Sequence, residues 1–534
     1  MALIDIRELT FSYGSNLSTP VLNNISFSVD EGDFVLLCGP SACGKTTLLK
    51  LIKHLIAPYG TKTGTISVMD KNVDELSEYD LVSQIGYVFQ NPDHQIVCEK
   101  PFAELAFGLE NLGLDSNEIR HRVAEMASFF GIEHYFSRNV NELSGGQKQL
   151  LNLASVMLMQ PKVLLLDEPT AMLDPICTDE FLHMLDKVNK EMGLTIVICE
   201  HNLERVYSLV DKICLMENGT VKFSGNPENG AAYMLEQKDV TSLSLPSSAA
   251  LFNKYGNNSS KVPFNVKEGK LWLKSLPPLQ LEEIIKKESK QNRTVDISKN
   301  PVAFTMKNVY YRYSKHGPFV LDNINLTGYQ GEILTIVGGN GTGKSTLLSV
   351  LSRYRKPTAG KINTGKIGYL PQDPSLLFSE DTVGLEISNT VFKSKLDPAK
   401  ANELADSFPS IARILNNTDT NPLDLSGGQK QLLAFYKLAL YDIEVLILDE
   451  PVKGLDGLAK KELYEILKKF QSKGICIVIV THDLEFAALV SNRIGMMFDN
   501  DIISLDTPKD FFTSNYFYTT SRCKISRGIL DGLY

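Results

Sequence analysis

Short, uninterrupted apolar runs punctuate this chain and end abruptly in charged or glycine-rich segments. Val163–Leu166 and Ile475–Val480 are too short to be helices and read as strands. So do DFVLLC, residues 33–38, and EILTIV, residues 332–337. A strand that is apolar at every position, not every second one, belongs to a parallel sheet covered on both faces. Segments of helical character follow closely: TTLLKLIKHL after the first glycine-rich stretch and KQLLNLASVML further on. The pattern predicts an α/β chain.

The pattern also repeats. GPSACGKTTLL from Gly39 has a counterpart, GGNGTGKSTLL, from Gly338; LSGGQKQLL occurs from Leu143 and from Leu425; VLLLDEP from Val163 matches VLILDEP from Val445. Lys45 and Lys344 lie 299 residues apart, whereas Ser144 and Ser426, like Glu168 and Glu450, lie 282 apart. The second copy is therefore 17 residues shorter after its first motif, where SVMDKNVDELSEYDLVSQ shrinks to about NTGK. A period this long implies two similar domains, not a solenoid. The expected division is 1–226, a linker at 227–301, 302–508, and a tail at 509–534. The linker reads as loop around Pro246, Ser247 and Ser248, a short helix around LEEIIKKESK, then loop. Trp272 and the aromatic tail are expected to pack.

Each copy carries three pieces of chemistry. Gly39, Pro40, Ser41, Ala42, Cys43, Gly44, Lys45 and Thr46, followed by Thr47, fit a phosphate-binding loop between a strand and a helix. Gly338, Gly339, Asn340, Gly341, Thr342, Gly343, Lys344 and Ser345, followed by Thr346, repeat it. Backbone amides of such a loop point inward at phosphate oxygens; the lysine reaches the terminal phosphates and the hydroxyl faces Mg2+. Asp167-Glu168 and Asp449-Glu450 end apolar strands, where ligands of parallel sheets sit. The aspartates are expected to hold the metal and the glutamates to polarise water; a helix-capping acid is the alternative. Ser144, Gly145, Gly146 and Gln147, and Ser426, Gly427, Gly428 and Gln429, each open a helix and offer a second anion site, or simply a capped helix.

Composition narrows the choice. The formal net charge is −9, which argues against a surface built to hold nucleic acid. Eight scattered cysteines form no Cys-x-x-Cys pair, so neither a zinc ribbon nor an iron–sulfur cluster is suggested, and a reducing cytosol is expected. No apolar stretch approaches the roughly 18 residues of a membrane helix, and MALIDIRELTF does not read as a signal peptide.

Phosphate loop, LSGGQ, a strand ending in Asp-Glu and a histidine after another strand together resemble the ATP-binding cassette (ABC) ATPases, over both halves of the chain. The resemblance implies two P-loop domains, each with a mainly parallel core sheet, an antiparallel β subdomain and a helical signature subdomain. By position it carries over Gln90 and Gln372 as metal- and water-facing glutamines, each 54 residues before its signature serine. It carries over His201 and His482 as γ-phosphate contacts, and Asp174 and Asp456 as aspartates linking two sites. Tyr13 and Tyr313 resemble the adenine-stacking aromatic, with packing by Phe11 or Tyr311 as the alternative. The family also implies intramolecular pairing, in which each ATP lies between one cassette's phosphate loop and the other's LSGGQ.

VFQNPDHQIV is similar to the corresponding loop of energy-coupling factor (ECF) ATPases, which power vitamin and transition-metal uptake. That likeness implies a transmembrane coupling subunit, a substrate-binding membrane subunit, and a peripheral location on the cytoplasmic membrane face. His94 is expected at the surface, not as a metal ligand. The rival reading is a tandem cassette ATPase acting on ribosomes. Those relatives carry an iron–sulfur domain or a long charged linker, and residues 226–300 hold only 11 Lys or Arg and 8 Asp or Glu.

Overall fold

The computed structural model describes residues 2–14, 20–237, 244–256, 261–289, 297–406 and 409–530. The chain divides into two compact units, Met1–Asn253 with Asn257–Asn265, and Lys254–Gly256 with Val266–Tyr534.

In the first unit the all-apolar runs form the centre of a six-stranded sheet. Phe34–Cys38, Val163–Asp167 and Thr195–Cys199 are buried at every position. All three run parallel, joined by Ile85–Val88 and Lys212–Glu217; only the edge strand Thr220–Gly225 is antiparallel. Their side chains alternate between two cores, which is why no polar residue interrupts the run. Leu36, Leu164 and Ile198 face a helical layer containing Leu105, Leu109 and Leu151. Leu37, Leu165 and Val197 face Ile6, Phe27 and Ile66 of an antiparallel sheet, together with Leu48 and Ile52. That sheet comprises Ala2–Tyr13, Leu22–Asp30, Gly60–Val68 and the short Lys71–Asn72.

The second unit repeats the plan. Ile333–Val337, Val445–Asp449 and Cys476–Val480 form the buried centre of a six-stranded sheet whose one antiparallel pair involves Asp501–Asp506. Its antiparallel sheet has three strands, Val302–Tyr311, Leu321–Tyr329 and Ala359–Thr364. The missing 17 residues are accounted for here. The first unit spends them on Lys71–Asn72 and the helix Glu78–Gln84, whereas Thr364 leads almost directly into Ile367–Leu370.

The register matters for function. Leu37 pairs with Cys199, and Asp167 pairs with Cys199 on the other side. The carboxyl ends of three strands thus stop at one level, and the loops they release share one edge of the sheet. Asp449 is likewise level with Val480.

The helix expected around LEEIIKKESK is present as Pro278–Ser289. The rest of the linker departs from the expectation: residues 247–255, read as loop, form the helix Ser247–Tyr255, and Val266–Ser275 follows. Pro-Ser-Ser here is a helix start, not a turn. Both the amide and hydroxyl of Ser247 donate to Glu204 Oε2, at 2.7 and 3.0 Å, while Ala249 enters the first unit's core. Residues 257–260 and Lys290, assigned to loop and helix from sequence, lie outside the described residues, as do the last four of the tail. Trp272 is buried, and its helix packs on Ser521–Ser526 of the tail. Phe511 and Phe512 join a core with Val337 and Ile494, so the tail packs on the second unit.

Candidate nucleotide site

Each phosphate loop leaves its strand through a glycine that no other residue could replace. Gly39 has φ 146° and Gly338 φ 158°, and a side chain at either would run into the main-chain carbonyl of Met216 or Met497. The loop then enters the helix Lys45–Ile52 or Lys344–Leu351 through Gly44 or Gly343, both left-handed. Lys45 Nζ folds back to donate to the carbonyls of Gly39 and Pro40, at 2.9 and 2.8 Å. Lys344 does the same to Gly338 and Gly339, at 3.0 and 2.7 Å. The ammonium is thereby parked over the loop's own concavity. Ala42 adopts φ 61°, where the second loop has Gly341 at φ 77°.

The strand-end acids meet this loop. Thr46 donates to Asp167 Oδ1 at 2.9 Å, and Tyr87 donates to Oδ2 at 3.2 Å. Neither Asp167 nor Glu168 caps a helix; that task falls to Asp174 and Asp456. Asp174 accepts from the amides of Ile176 and Cys177, and Asp456 from that of Ala459. Burial, and secondarily the neighbouring Glu168, raise the Asp167 pKa. Burial also raises that of Asp449, which Ser345 opposes with a hydrogen bond. Asp449 Oδ1 is buried without a hydrogen-bond partner, so the oxygen is spare for a cation. Among the described residues no cluster of three or more His, Cys, Asp or Glu could hold a metal by itself. One carboxylate beside a hydroxyl suits Mg2+, which keeps waters and takes phosphate oxygens as further ligands.

Glu168 gathers the remaining groups. Its Oε2 accepts from Gln90 Nε2 at 2.9 Å, and its Oε1 lies 2.8 Å from His201 Nε2. In the second unit Glu450 Oε2 accepts from the His482 amide at 3.2 Å, and His482 Nε2 stands 3.4 Å from Oε1. Both glutamates adopt left-handed backbone, φ 47° and 52°. Such a conformation costs about 1–3 kcal/mol in a non-glycine residue, and its recurrence at both sites marks a functional constraint. Burial, assisted by the charge of Asp449, pushes the Glu450 pKa up to about 7, the range useful to a general base.

The aromatic pairs divide their labour. Phe11 and Tyr311 are buried, while Tyr13 and Tyr313 are 50% and 60% exposed. The exposed rings stand edge-on to the buried ones, and their hydroxyls reach Thr47 and Thr346, each at 2.8 Å. An exposed ring is thus held beside each phosphate loop, with the Arg355 guanidinium 4.9 Å from the centre of the Tyr313 ring, over one face.

Ser144–Gln147 opens a different element, the helix Gly145–Met157, with a reciprocal cap. Ser144 Oγ accepts from the Gln147 amide at 3.3 Å, and Gln147 Oε1 from the Ser144 amide at 3.0 Å. Ser426 and Gln429 repeat this at 3.4 and 3.0 Å. The capped-helix and anion-site readings therefore describe one structure: the cap uses the third amide and leaves those of Gly145 and Gly146 to an acceptor. A side chain at Gly146 would press on Cys177.

Three participants were not singled out from sequence. Tyr87 could have been, since GYVFQ and GYLPQ put a tyrosine at the same place in each copy. Glu200 and Lys453 could not, because each is present in one copy only. Glu200 is 3% exposed and accepts from the Thr170 hydroxyl and amide, at 2.7 and 3.1 Å. Burial pushes its pKa up to about 8 despite those bonds, with the charge of Glu168 adding to the rise. The folded chain then holds a proton that an unfolded chain, at the ordinary value of 4.5, has released. This contribution is complete below pH 4.5 and is lost as pH rises through about 8. Glu200→Gln is therefore expected to gain stability relative to the parent across that window, by on the order of 5 °C in Tm at pH 8. Thermal melts at pH 5 and pH 8 check it; a constant difference would refute the buried proton.

Comparison with known proteins agrees with this geometry. The ABC transporter family profile matches residues 22–171 and 321–453. A Bacillus anthracis protein named "Putative ABC transporter ATP-binding protein" is 38% identical over 98% of this chain and 95% of its own length. YkoD of Bacillus subtilis (strain 168), named "Putative HMP/thiamine import ATP-binding protein", is 28% identical over 96% of this chain and 92% of its own. The solved structure of the archaeal ribosome recycling factor aABCE1, in complex with the stalk protein aP1, aligns with a TM-score of 0.59. It covers 94% of this chain and 90% of that one at 19% identity, a likeness of fold alone. Two phosphate loops, two strand-end acid pairs and two profile matches lead to one conclusion: the chain belongs to the ABC transporter ATP-binding family, as a tandem of two cassettes, and is an ATPase.

Proposed function

We propose that this ATPase is the energy-coupling subunit of an ECF-type importer for a vitamin or a transition metal. The observation that carries this reading is the surface after Gln90. Asn91 caps the turn Pro92–His94, and Gln95 bonds both Tyr87 and Phe89, so the NPDHQ loop is built rigidly onto the strand leading to the site. Val97, in the loop that follows, and Phe102 and Phe107, on the helix Pro101–Asn111, are exposed at 65%, 42% and 44%. Exposed apolar residues shortly after a nucleotide-sensing glutamine suit a hydrophobic partner segment. His94 is exposed on the same turn. The import role in the name of YkoD supports the direction of transport. No described helix is long and apolar enough to cross a membrane; in this reading a transmembrane coupling subunit and a substrate-binding membrane subunit supply the path.

In this reading two composite ATP sites form by pairing of the cassettes. One joins Lys45, Thr46, Gln90, Asp167, Glu168 and His201 with Ser426 and Gly428. The other joins Lys344, Ser345, Gln372, Asp449, Glu450 and His482 with Ser144 and Gly146. Thr46, Gln90 and Asp167, and Ser345, Gln372 and Asp449, would hold Mg2+ with the nucleotide. The metal supplies charge neutralisation on the phosphates. The lysines and loop amides bind and orient the triphosphate, and the glutamates accept the proton of the attacking water at a carboxylate oxygen. Tyr13 and Tyr313 stack on adenine. ATP closes the pair because each face supplies amide donors the other lacks, and loss of phosphate releases it.

The test is affinity purification of the tagged chain from detergent-solubilised membranes of its native cell. Small hydrophobic subunits are expected to accompany it, and the triple substitution of Val97, Phe102 and Phe107 by serine should lose them while retaining ATP binding. Recovery with ribosomes and without membrane subunits would overturn the assignment.

A further inference from the structure

The two sites are not chemical copies of each other, and the difference centres on Glu200. Two adjacent loops leave the paired strands Val163–Asp167 and Thr195–Cys199. One carries Glu168 and, two residues on, Thr170; the other carries Glu200 and then His201. Glu200 Oε1 accepts from Thr170 Oγ1 at 2.7 Å and from the Thr170 amide at 3.1 Å. A single buried side chain thereby ties both loops together. Beside this tie, Glu168 Oε2 meets Gln90 and its Oε1 the His201 ring.

The second unit has Val452 and Thr481 at these positions, and no such clamp can form. Thr481 Oγ1 instead accepts from the Asp483 amide at 3.1 Å. The His482 amide donates to Glu450 itself at 3.2 Å. Among the described residues no hydrogen bond joins Gln372 to Glu450. The position of Ala171 is occupied by Lys453, whose charge acts on Glu450 and Asp449. Burying a carboxyl costs stability that a threonine, as in the second unit, does not. The cost calls for a role.

We propose that Glu200 is a positioning residue of the first ATP site: by fastening the Thr170 turn to the strand end that carries His201, it holds Glu168 where one oxygen meets Gln90 and the other the His201 ring, so that the glutamate of this site is coupled to the nucleotide-sensing loop. The proposal rests on the reading of Glu168 and His201 as catalytic, given above.

Glu200→Thr in the full-length chain copies the second site. It is expected to lower ATPase kcat about 3–10-fold with KM for ATP within about twofold, as loss of one or two positioning hydrogen bonds would. Glu200→Gln keeps an oxygen for the same donors and should stay within about twofold of the parent kcat. Thr170→Val should lower kcat in the parent and have no further effect beside Glu200→Thr, because the two act through one bond. Unchanged kcat in a folded Glu200→Thr chain, additive effects of the pair, or a Glu200→Gln chain as slow as the threonine variant would each overturn the proposal. Should Glu200→Thr not fold, Glu200→Gln and Thr170→Val alone decide it: a slow glutamine variant or a fully active valine variant refutes it. Glu168→Gln separates the two levels. If that variant keeps full turnover, the catalytic reading itself fails; if it loses turnover while Glu200→Thr does not, only the inference about Glu200 fails.

Discussion

Glu168→Gln is expected to lower ATP turnover at least about a hundredfold while nucleotide still binds, and Glu450→Gln to do the same. A positioned general base contributes about 10²–10⁴-fold, and the amide keeps the shape and one acceptor but cannot take a proton. The geometry makes the substitution local. Glu168 bonds to Gln90 and His201, whereas the lysine and amides of the phosphate loop carry the binding. Steady-state phosphate release and equilibrium binding of a fluorescent ATP analogue measure the two quantities separately. Two full losses mean that both sites must turn over for the chain to cycle. Full activity in one variant would make that site non-catalytic, and a parallel loss of binding would move the glutamate out of the base role. The unequal surroundings of the two residues allow unequal residual rates, with Glu450 held by the His482 amide and near Lys453.

Lys45→Ala should act on the other quantity. The ammonium is buried, donates to two carbonyls of its own loop, and sits where the terminal phosphates of ATP would replace or extend those bonds. Charge-assisted bonds from a lysine to phosphate contribute about 1.5–3 kcal/mol each, so ATP affinity at that site should fall by roughly 10–100-fold or more. Lys344→Ala should do the same at its own site, given its matching bonds to Gly338 and Gly339. Calorimetric titration of each single variant, with the other site intact, should show one tight site in place of two. Two unaltered sites would show that the lysine only braces the loop.

The two lysine–glutamate assemblies show what could be read from residue order alone. A phosphate loop must follow a strand and open a helix, and a strand buried on both faces must be apolar throughout, so period and motif together identify them. The duplication then marks which residues recur, and Tyr87 with Tyr369 could have been recognised by the same comparison. The first linker helix, Ser247–Tyr255, was obscured because Pro-Ser-Ser is a turn signal and a helix start alike. Only the burial of Ala249 and the bonds of Ser247 to Glu204 decide between them.

Residue order by itself determined the repeated α/β cassette, its strand-end acids and its phosphate loops, because each follows from local pattern and near-neighbour stereochemistry. Tertiary structure alone decided which side chains meet. Parallel register brings Asp167 level with Cys199, and so sets Thr170 against Glu200 across 30 positions of sequence and Gln90 against Glu168 across 78. Hydrogen bonds between loops so distant along the chain depend on where the sheet stops each strand, and no local signal carries that information.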